Sequence, residues 1–375
     1  MEPVLFCPNP NCENHHYPAT VHWFDRYGYH QTRTFGRVPR FKCRSCGRTF
    51  SRQTFSIDYY AKRIVDYRDL LIRHANSESL RGITRALGLS CATVQNRFDR
   101  LARQAAAFHA RMRPLADPRE DICIDGLVTY DVSKYFPNEI TVSITAGSLF
   151  ILDLSHATRR RSGSMTREQA RRAANIYPRA HFERGGIGRT FADILSSLEH
   201  ERPPAEDRPL VLITDEKREY VEVLRRSRLW REQDETHRVA HVRISSKLPR
   251  TYWNPLFPSN YLDREIRKDQ ANHRRETTCF SRNASNAMGR FLCYCFYHNY
   301  MKRFRIKSAA SDDRVHAELA GIERGIVEHS VAEAFSRRVF LSRIRLSGFL
   351  ARIWNKRIMT PLKNATDYLP AFASA

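Results

Sequence analysis

The spacing of apolar and polar positions divides the chain into stretches of different period. HWFDRYGYHQTRT (22–34) and VPRFKC (38–43) alternate with period two and are separated by turn residues, which predicts short strands. Residues 57–108 read as helical: IDYYAKRIVDYRDLLIRHA carries apolar residues at helical spacing. In the following SLRGITRALGLSCATVQNRFDRLARQA, Ile83, Ala86 and Leu87 form one short apolar face. Gly88 can supply a left-handed turn, Leu89 can plug the core, and Ser90 is a natural N-cap for the next helix. In that helix Val94, Phe98 and Leu101 pack inward, and Thr93, Gln95, Asn96, Arg97 and Arg100 face out. After Pro114 the period changes again. ICIDGLVTY, EITVSITAG and SLFILDLSHA are β-branched runs with short links, which makes an antiparallel meander. RPLVLITDEKREY is an apolar strand that ends in an acid and enters a helix, and HRVAHVRISSK is a further strand. NAMGRFLCYCFYHNYMKRF has apolar residues at helical spacing and reads as core rather than as a base-stacking platform.

Nine cysteines, an odd number, make a disulfide framework improbable. Four of them cluster near the N-terminus: Cys7 and Cys12 in CPNPNC, Cys43 and Cys46 in CRSC. A C-x2-C knuckle lets two thiolates reach one tetrahedral ion, and a second pair closes the shell. With the alternating strands between the pairs, residues 1–56 read as a zinc ribbon. The first pair is spaced more widely than usual, so His15 or His16 is an alternative ligand. Cys91, Cys123, Cys279, Cys293 and Cys295 read as packing residues.

Two acids occupy unusual places. Asp125 lies within an apolar strand, and Asp215 closes the strand Val211–Leu212–Ile213. An acid inside such a strand is costly unless something pairs with it. If the two strands are neighbours, both carboxylates can reach a pair of Mg2+ ions that activate a hydroxyl and stabilise the leaving oxygen of a phosphodiester. Asp131 and Asp153 are weaker candidates. The order of three strands, helices, strand, helix, strand, helix suits an RNase H-like α/β domain over 118–305.

Charge narrows the partners. The chain of 375 residues has 63 Lys+Arg against 40 Asp+Glu, a net charge of +23. Only ten of those cations are lysine, and arginine suits bidentate phosphate contact. The excess points to a polyanion. No apolar run is long enough for a transmembrane helix, and the first residues lack a signal-peptide pattern, so a cytoplasmic, nucleoid-associated protein is expected. An Arg-rich insertion at about 157–208 includes Arg159 and Arg160, and the segment after Asn260 contains Arg267, Lys268, Arg274 and Arg275. These are expected DNA contacts, together with the outward residues of the 57–113 helical unit, which reads as a helix-turn-helix. The acid-free stretch from Ser336 to Thr366, within a basic, mostly helical region at 306–375, is expected to track DNA or dock on a partner subunit.

The set resembles insertion-sequence transposases of the DDE/D type. The similar text is FKCRSCGRTFSRQTFS, SLRGITRALGLSCATVQNR, CIDG, LITDEKREY and NPLFPSNYLDREIRKDQANHRRETTCFSRN, over most of residues 1–305. The resemblance implies a multidomain α+β protein with a zinc ribbon, a helix-turn-helix and an RNase H-like catalytic domain. It implies structural zinc, catalytic Mg or Mn, cleavage and strand transfer on double-stranded DNA (transposon ends and target), and a homo-oligomer of at least two copies on DNA. The family's first and second acids fall on Asp125 and Asp215. Its third, a Glu, falls on Asn260. Asp263, about 300° further round a helix, is the expected substitute, with Glu265 and Glu276 as alternatives. Two rivals accompany this expectation: an inactivated, transposase-derived DNA-binding regulator, and a metal-dependent nuclease.

Overall fold

A computed structural model describes residues 5–19, 22–204, 208–274, 279–305 and 312–362. The architecture is mixed α+β. The N-terminal unit is an antiparallel three-stranded sheet of β1 (Phe24–Thr32), β2 (Gly36–Cys43) and β3 (Thr49–Ser51). Its two faces are unequal. Most of β1 is exposed, while Trp23, Phe50 and Phe55 gather with the cysteines into a small core.

Three helices follow: α1 (Tyr67–Ala75), α2 (Leu80–Leu87) and α3 (Cys91–Met112). Gly88 stands at φ +59 and ends α2, and the Ser90 hydroxyl caps α3 by accepting the Thr93 N–H at 3.2 Å. The start of this region departs from its helical periodicity. Residues 57–66 form no helix, and α1 begins only where Asp66 accepts the N–H groups of Arg68 and Asp69. The preceding segment is anchored elsewhere, with the Ile57 N–H on the Ser336 carbonyl at 3.0 Å.

The main sheet has the order β6-β5-β4-β7-β8, from β4 (Ile122–Tyr130), β5 (Pro137–Thr145), β6 (Ile151–Thr158), β7 (Leu210–Asp215) and β8 (Val239–Ile244). The first three form the expected antiparallel meander, and β7 and β8 run parallel to β4. Parallel strands need crossovers. Helices α4 (Arg167–Ile176) and α5 (Gly186–Glu201) connect β6 to β7, and α6 (Arg218–Arg226) connects β7 to β8. Beyond β8 come α7 (Phe257–Asp269), α8 (Ala284–Tyr300), α9 (Arg324–Ser336) and α10 (Gly348–Trp354).

Helix α8 is buried nearly all round, with Phe291, Leu292, Tyr294, Cys295 and Phe296 inside, as expected of a helix apolar on every face. It packs along α3, and one continuous core joins Val94 and Phe98 of α3 to Ile122 and Ile124 of β4. The helical unit and the sheet therefore share an interior across residues 113–118. Among the described residues no helix is long and apolar enough to cross a membrane.

The acid-free C-terminal stretch folds back on its own chain. Phe340 packs on Phe6 and Phe55, Arg343 donates to the His15 carbonyl at 2.9 Å, and Arg338 lies 4.1 Å from the Tyr59 ring. Several of its cations are thus engaged inside the molecule.

Candidate functional site

Two clusters of metal-type ligands emerge. In the first, Cys7 and Cys12 flank a tight loop closed by the Cys12 N–H on the Asn9 carbonyl at 3.0 Å, and Cys43 ends β2. The sulfurs of Cys7 and Cys46 are 3.4 Å apart and those of Cys12 and Cys43 3.7 Å, with all four within 4.8 Å of one another. A zinc ion with bonds of about 2.3 Å to four sulfurs requires S···S separations of roughly 3.8 Å. The donor set and its spacing can therefore hold a structural zinc ion. Asn14 points its amide at the Cys43 sulfur from 3.9 Å, an outer partner for that ligand. His15 and His16 are not among the converging ligands. The His15 ring nitrogens face the Cys7 carbonyl at 2.6 Å and the Ser342 hydroxyl at 2.9 Å, and His16 faces the Pro10 carbonyl at 3.1 Å. Burial pushes the Cys7 and Cys12 thiols up. At Cys46 burial acts the same way but is outweighed by the Arg48 backbone N–H and the Asn9 side chain, which bring the thiol down to about 7.

The second cluster lies where β4 and β7 run side by side. Ile124 pairs with Thr214 in parallel register, so Asp125 and Asp215, one residue on in each strand, are neighbours. The Lys217 ammonium stands 3.4 Å from Asp125, 3.3 Å from Asp215 and 3.3 Å from Glu139. Glu139, on β5, is fully buried, and its second oxygen is 3.1 Å from the Arg159 guanidinium. Gly126 makes room for it: a Cβ there would lie 2.3 Å from the Glu139 carboxylate. Asp263 approaches from α7, with Leu262 and Ile266 buried beside it and Arg267 at 3.6 Å. Burial, and then the nearby Asp125 charge, raise the Asp263 carboxyl to about 7 against Arg267, Arg250 and Lys217. Burial likewise raises Asp125, against the pull of Lys217. Burial works against the Lys217 ammonium, yet Tyr220, Asp125, Glu139 and Asp215 together hold it firmly protonated. Among the described residues the four thiols are the one set of three or more Cys, His, Asp or Glu with ligand atoms all within 4.8 Å. The acids stand wider, around Lys217.

The other candidates have separate roles. Asp131 is buried and accepts hydrogen bonds from Thr158 at 2.7 Å and Asn138 at 3.0 Å, with the His156 ring at 2.8 Å. Asp153 pairs with buried Arg113 at 2.9 Å. Glu265 turns to Lys302 and Lys268. Glu276 and Arg275 lie outside the described residues.

The outward face expected for α3 needs correction. Arg97 and Arg100 are buried and donate to the Arg63 and Ile57 carbonyls, each at 2.8 Å. The cause is the non-helical 57–66 segment. Its carbonyls lack helical partners, and the two guanidiniums satisfy them. Thr93, Gln95 and Asn96 are half-buried. Gln95 donates to Asp99 at 2.8 Å and accepts from Arg290 at 2.6 Å, and Asn96 accepts from Arg97 and Arg100. Arg160 is exposed and lies 5.1 Å from the Phe182 ring. Lys268 is ion-paired to Glu265, and Arg274 donates to the Arg267 and Lys268 carbonyls. Among the cysteines read as packing residues, Cys123, Cys293 and Cys295 are buried, whereas Cys91 and Cys279 are exposed.

Glu139 and Lys217 escaped the sequence reading. A signal for the first was present, since Glu139 opens an apolar strand as improbably as Asp125 interrupts one. No protein-family model matches the chain, and no curated protein shows significant similarity to it.

Proposed function

We propose that the chain is a DDE/D-type DNA transposase whose catalytic unit is an RNase H-like domain and whose 57–113 region is a helix-turn-helix. It binds transposon ends and carries out Mg2+- or Mn2+-dependent cleavage and strand transfer, as a homo-oligomer of at least two copies on double-stranded DNA. The supporting observation is the meeting of acids from β4, β7 and α7: Asp125 and Asp215 in adjacent register, and Asp263 close enough for the Asp125 charge to raise its carboxyl. The strand order, with an antiparallel meander followed by two parallel strands, is consistent with that fold.

Asp125, Asp215 and Asp263 are hard oxygen donors and would hold the divalent metal. When bound, the metal supplies Lewis-acid activation of a hydroxyl and charge stabilisation at the leaving oxygen. Lys217 holds the acids in place by charge, and Arg159 fixes Glu139 beside them. Exposed cations such as Arg160 and Arg184 line a groove shared with Arg159, the partner of Glu139, and offer phosphate contacts. Incubation with end-containing DNA and Mg2+ or Mn2+ tests the proposal. Joined products are expected from the native chain, and loss of activity by about a thousandfold or more in Asp125→Ala and Asp215→Ala, which remove several kcal/mol of metal-borne stabilisation. Full activity in either variant overturns it.

The inactive-regulator reading has one observation of its own, the Lys217 ammonium already ion-paired to three of the acids. It predicts sequence-specific DNA binding by folded protein with neither nicking nor joining at any metal concentration. Hydrolysis without joining, indifferent to terminal repeats, would mark a nuclease.

A further inference from the structure

The loop between β8 and α7 carries the most exposed large aromatic side chain described. Trp253 is 87% exposed and Tyr252 71%. The two rings are in contact, so they form one exposed aromatic patch rather than single scattered residues, and such patches mark binding surfaces. The loop is pinned, with Asn254 donating to the Pro249 carbonyl at 2.9 Å and accepting the Leu256 N–H at 2.9 Å. The rings are therefore displayed by a fixed backbone.

They also continue inward as a ladder. Trp253 meets Tyr252 at 5.5 Å between centroids, Tyr252 meets Phe257 at 5.1 Å, and Phe257 meets Tyr261 at 5.8 Å. Arg264 closes the series 5.3 Å from the Tyr261 ring. The stretch 245–262 contains Lys247 and Arg250 and no acid. Arg250 lies near enough to Asp263 for its charge to act on that carboxyl. The loop thus borders the acidic cluster, with the Pro255 carbonyl 3.3 Å from the Cys123 sulfur of β4, while the inner rings turn to another face of α7, where Tyr261 lies near Glu265 and Lys302.

We propose that Trp253 and Tyr252 are a stacking platform for unpaired bases of a DNA strand whose backbone lies at the acidic cluster. Every base presents a π-face, so such a platform is tolerant of sequence, and the flanking cations suit the attached phosphates. Charge complementarity selects nucleic acid over a second copy of this basic chain. The placement of the strand rests on the functional reading above, while base stacking itself does not.

The test uses the full chain without added Mg2+ or Mn2+. Two duplexes are compared, one blunt and one with a short unpaired 3′ extension containing 2-aminopurine. The native chain is expected to quench the 2-aminopurine and to bind the extended duplex about tenfold or more tightly than the blunt one. Trp253→Ala abolishes both effects and leaves blunt-duplex affinity unchanged, and Trp253→Phe retains most of both. Equal affinity of the native chain for the two duplexes overturns the proposal. So does undiminished quenching in Trp253→Ala, or a Trp253→Ala chain that falls from a larger assembly to a monomer without DNA. Preference for the extension without strand transfer under Mg2+ would sink the transposase reading alone, and strand transfer without the preference would sink the platform alone.

Discussion

The cysteine cluster and the acidic cluster both gather ionisable groups that can ligate a metal, and they arrange them in opposite ways. The four sulfurs approach one another directly, at spacings set for one small ion. The carboxylates of Asp125, Glu139 and Asp215 instead surround an ammonium supplied by the chain itself. The first arrangement offers four donors that can hold an added cation. The second draws part of its counter-charge from the chain, one ammonium against three carboxylates, so a metal proposed there would compete with Lys217.

The largest effect should come from the cysteine cluster. Structural zinc contributes on the order of 10 kcal/mol to small domains. One zinc per chain is expected by elemental analysis, lost in Cys43→Ser. Chelation should open residues 22–51 to proteolysis while leaving the β4–β8 sheet protected. Unchanged protection after zinc removal would erase the contrast.

Next is Lys217→Met, which strands buried acids and should cost about 3–5 kcal/mol in urea unfolding without added divalent metal. Part of that loss should return with millimolar Mn2+, because a metal then takes the place of the ammonium. No loss would mean that Lys217 does not hold the acids together. Gly126→Ala is smaller, about 1–3 kcal/mol, through the clash with Glu139. Equal stability of this variant and the native chain would show that Glu139 moves aside freely.

A further test is a slope with pH. Unfolded Asp ionises near 3.8 and folded Asp263 near 7, so across that interval the folded chain keeps a proton that the unfolded chain has released. Stability should therefore fall as pH rises from about 4 to 7 on account of this group, and level off above. Asp263→Asn should flatten that part of the pH–stability curve, and an identical curve would remove Asp263 from the charge balance.

Much of the scaffold was legible because it is written locally. The run ICIDGLVTY became β4 over Ile122–Tyr130, and LITD ended a strand at Asp215, since alternation and length are properties of the strand itself. The cysteines were legible because their chemistry fixes their spacing. What stayed hidden depends on distant segments. Lys217 reads as a solvated charge at a helix start, and its role appears only once β4, β5 and β7 are neighbours. Arg97 and Arg100 sit at outward helical positions, but whether a helix face meets water is decided by what covers it, here residues 57–66. Their periodicity allowed a helix, yet Asp66 starts α1 later and leaves the preceding carbonyls to those arginines.

The packing of Phe340 on Phe6 and Phe55 has a consequence for the order of events during synthesis. Domains generally fold from the N-terminus as the chain emerges, at about 5–20 residues per second. The cysteine unit precedes most of the fold, but part of its apolar cover comes from a segment made hundreds of residues later. Until then Phe55 is covered only by its own unit, through Phe6 and Phe50, and lacks the ring that completes its shell. A later-translated segment thus finishes an earlier unit.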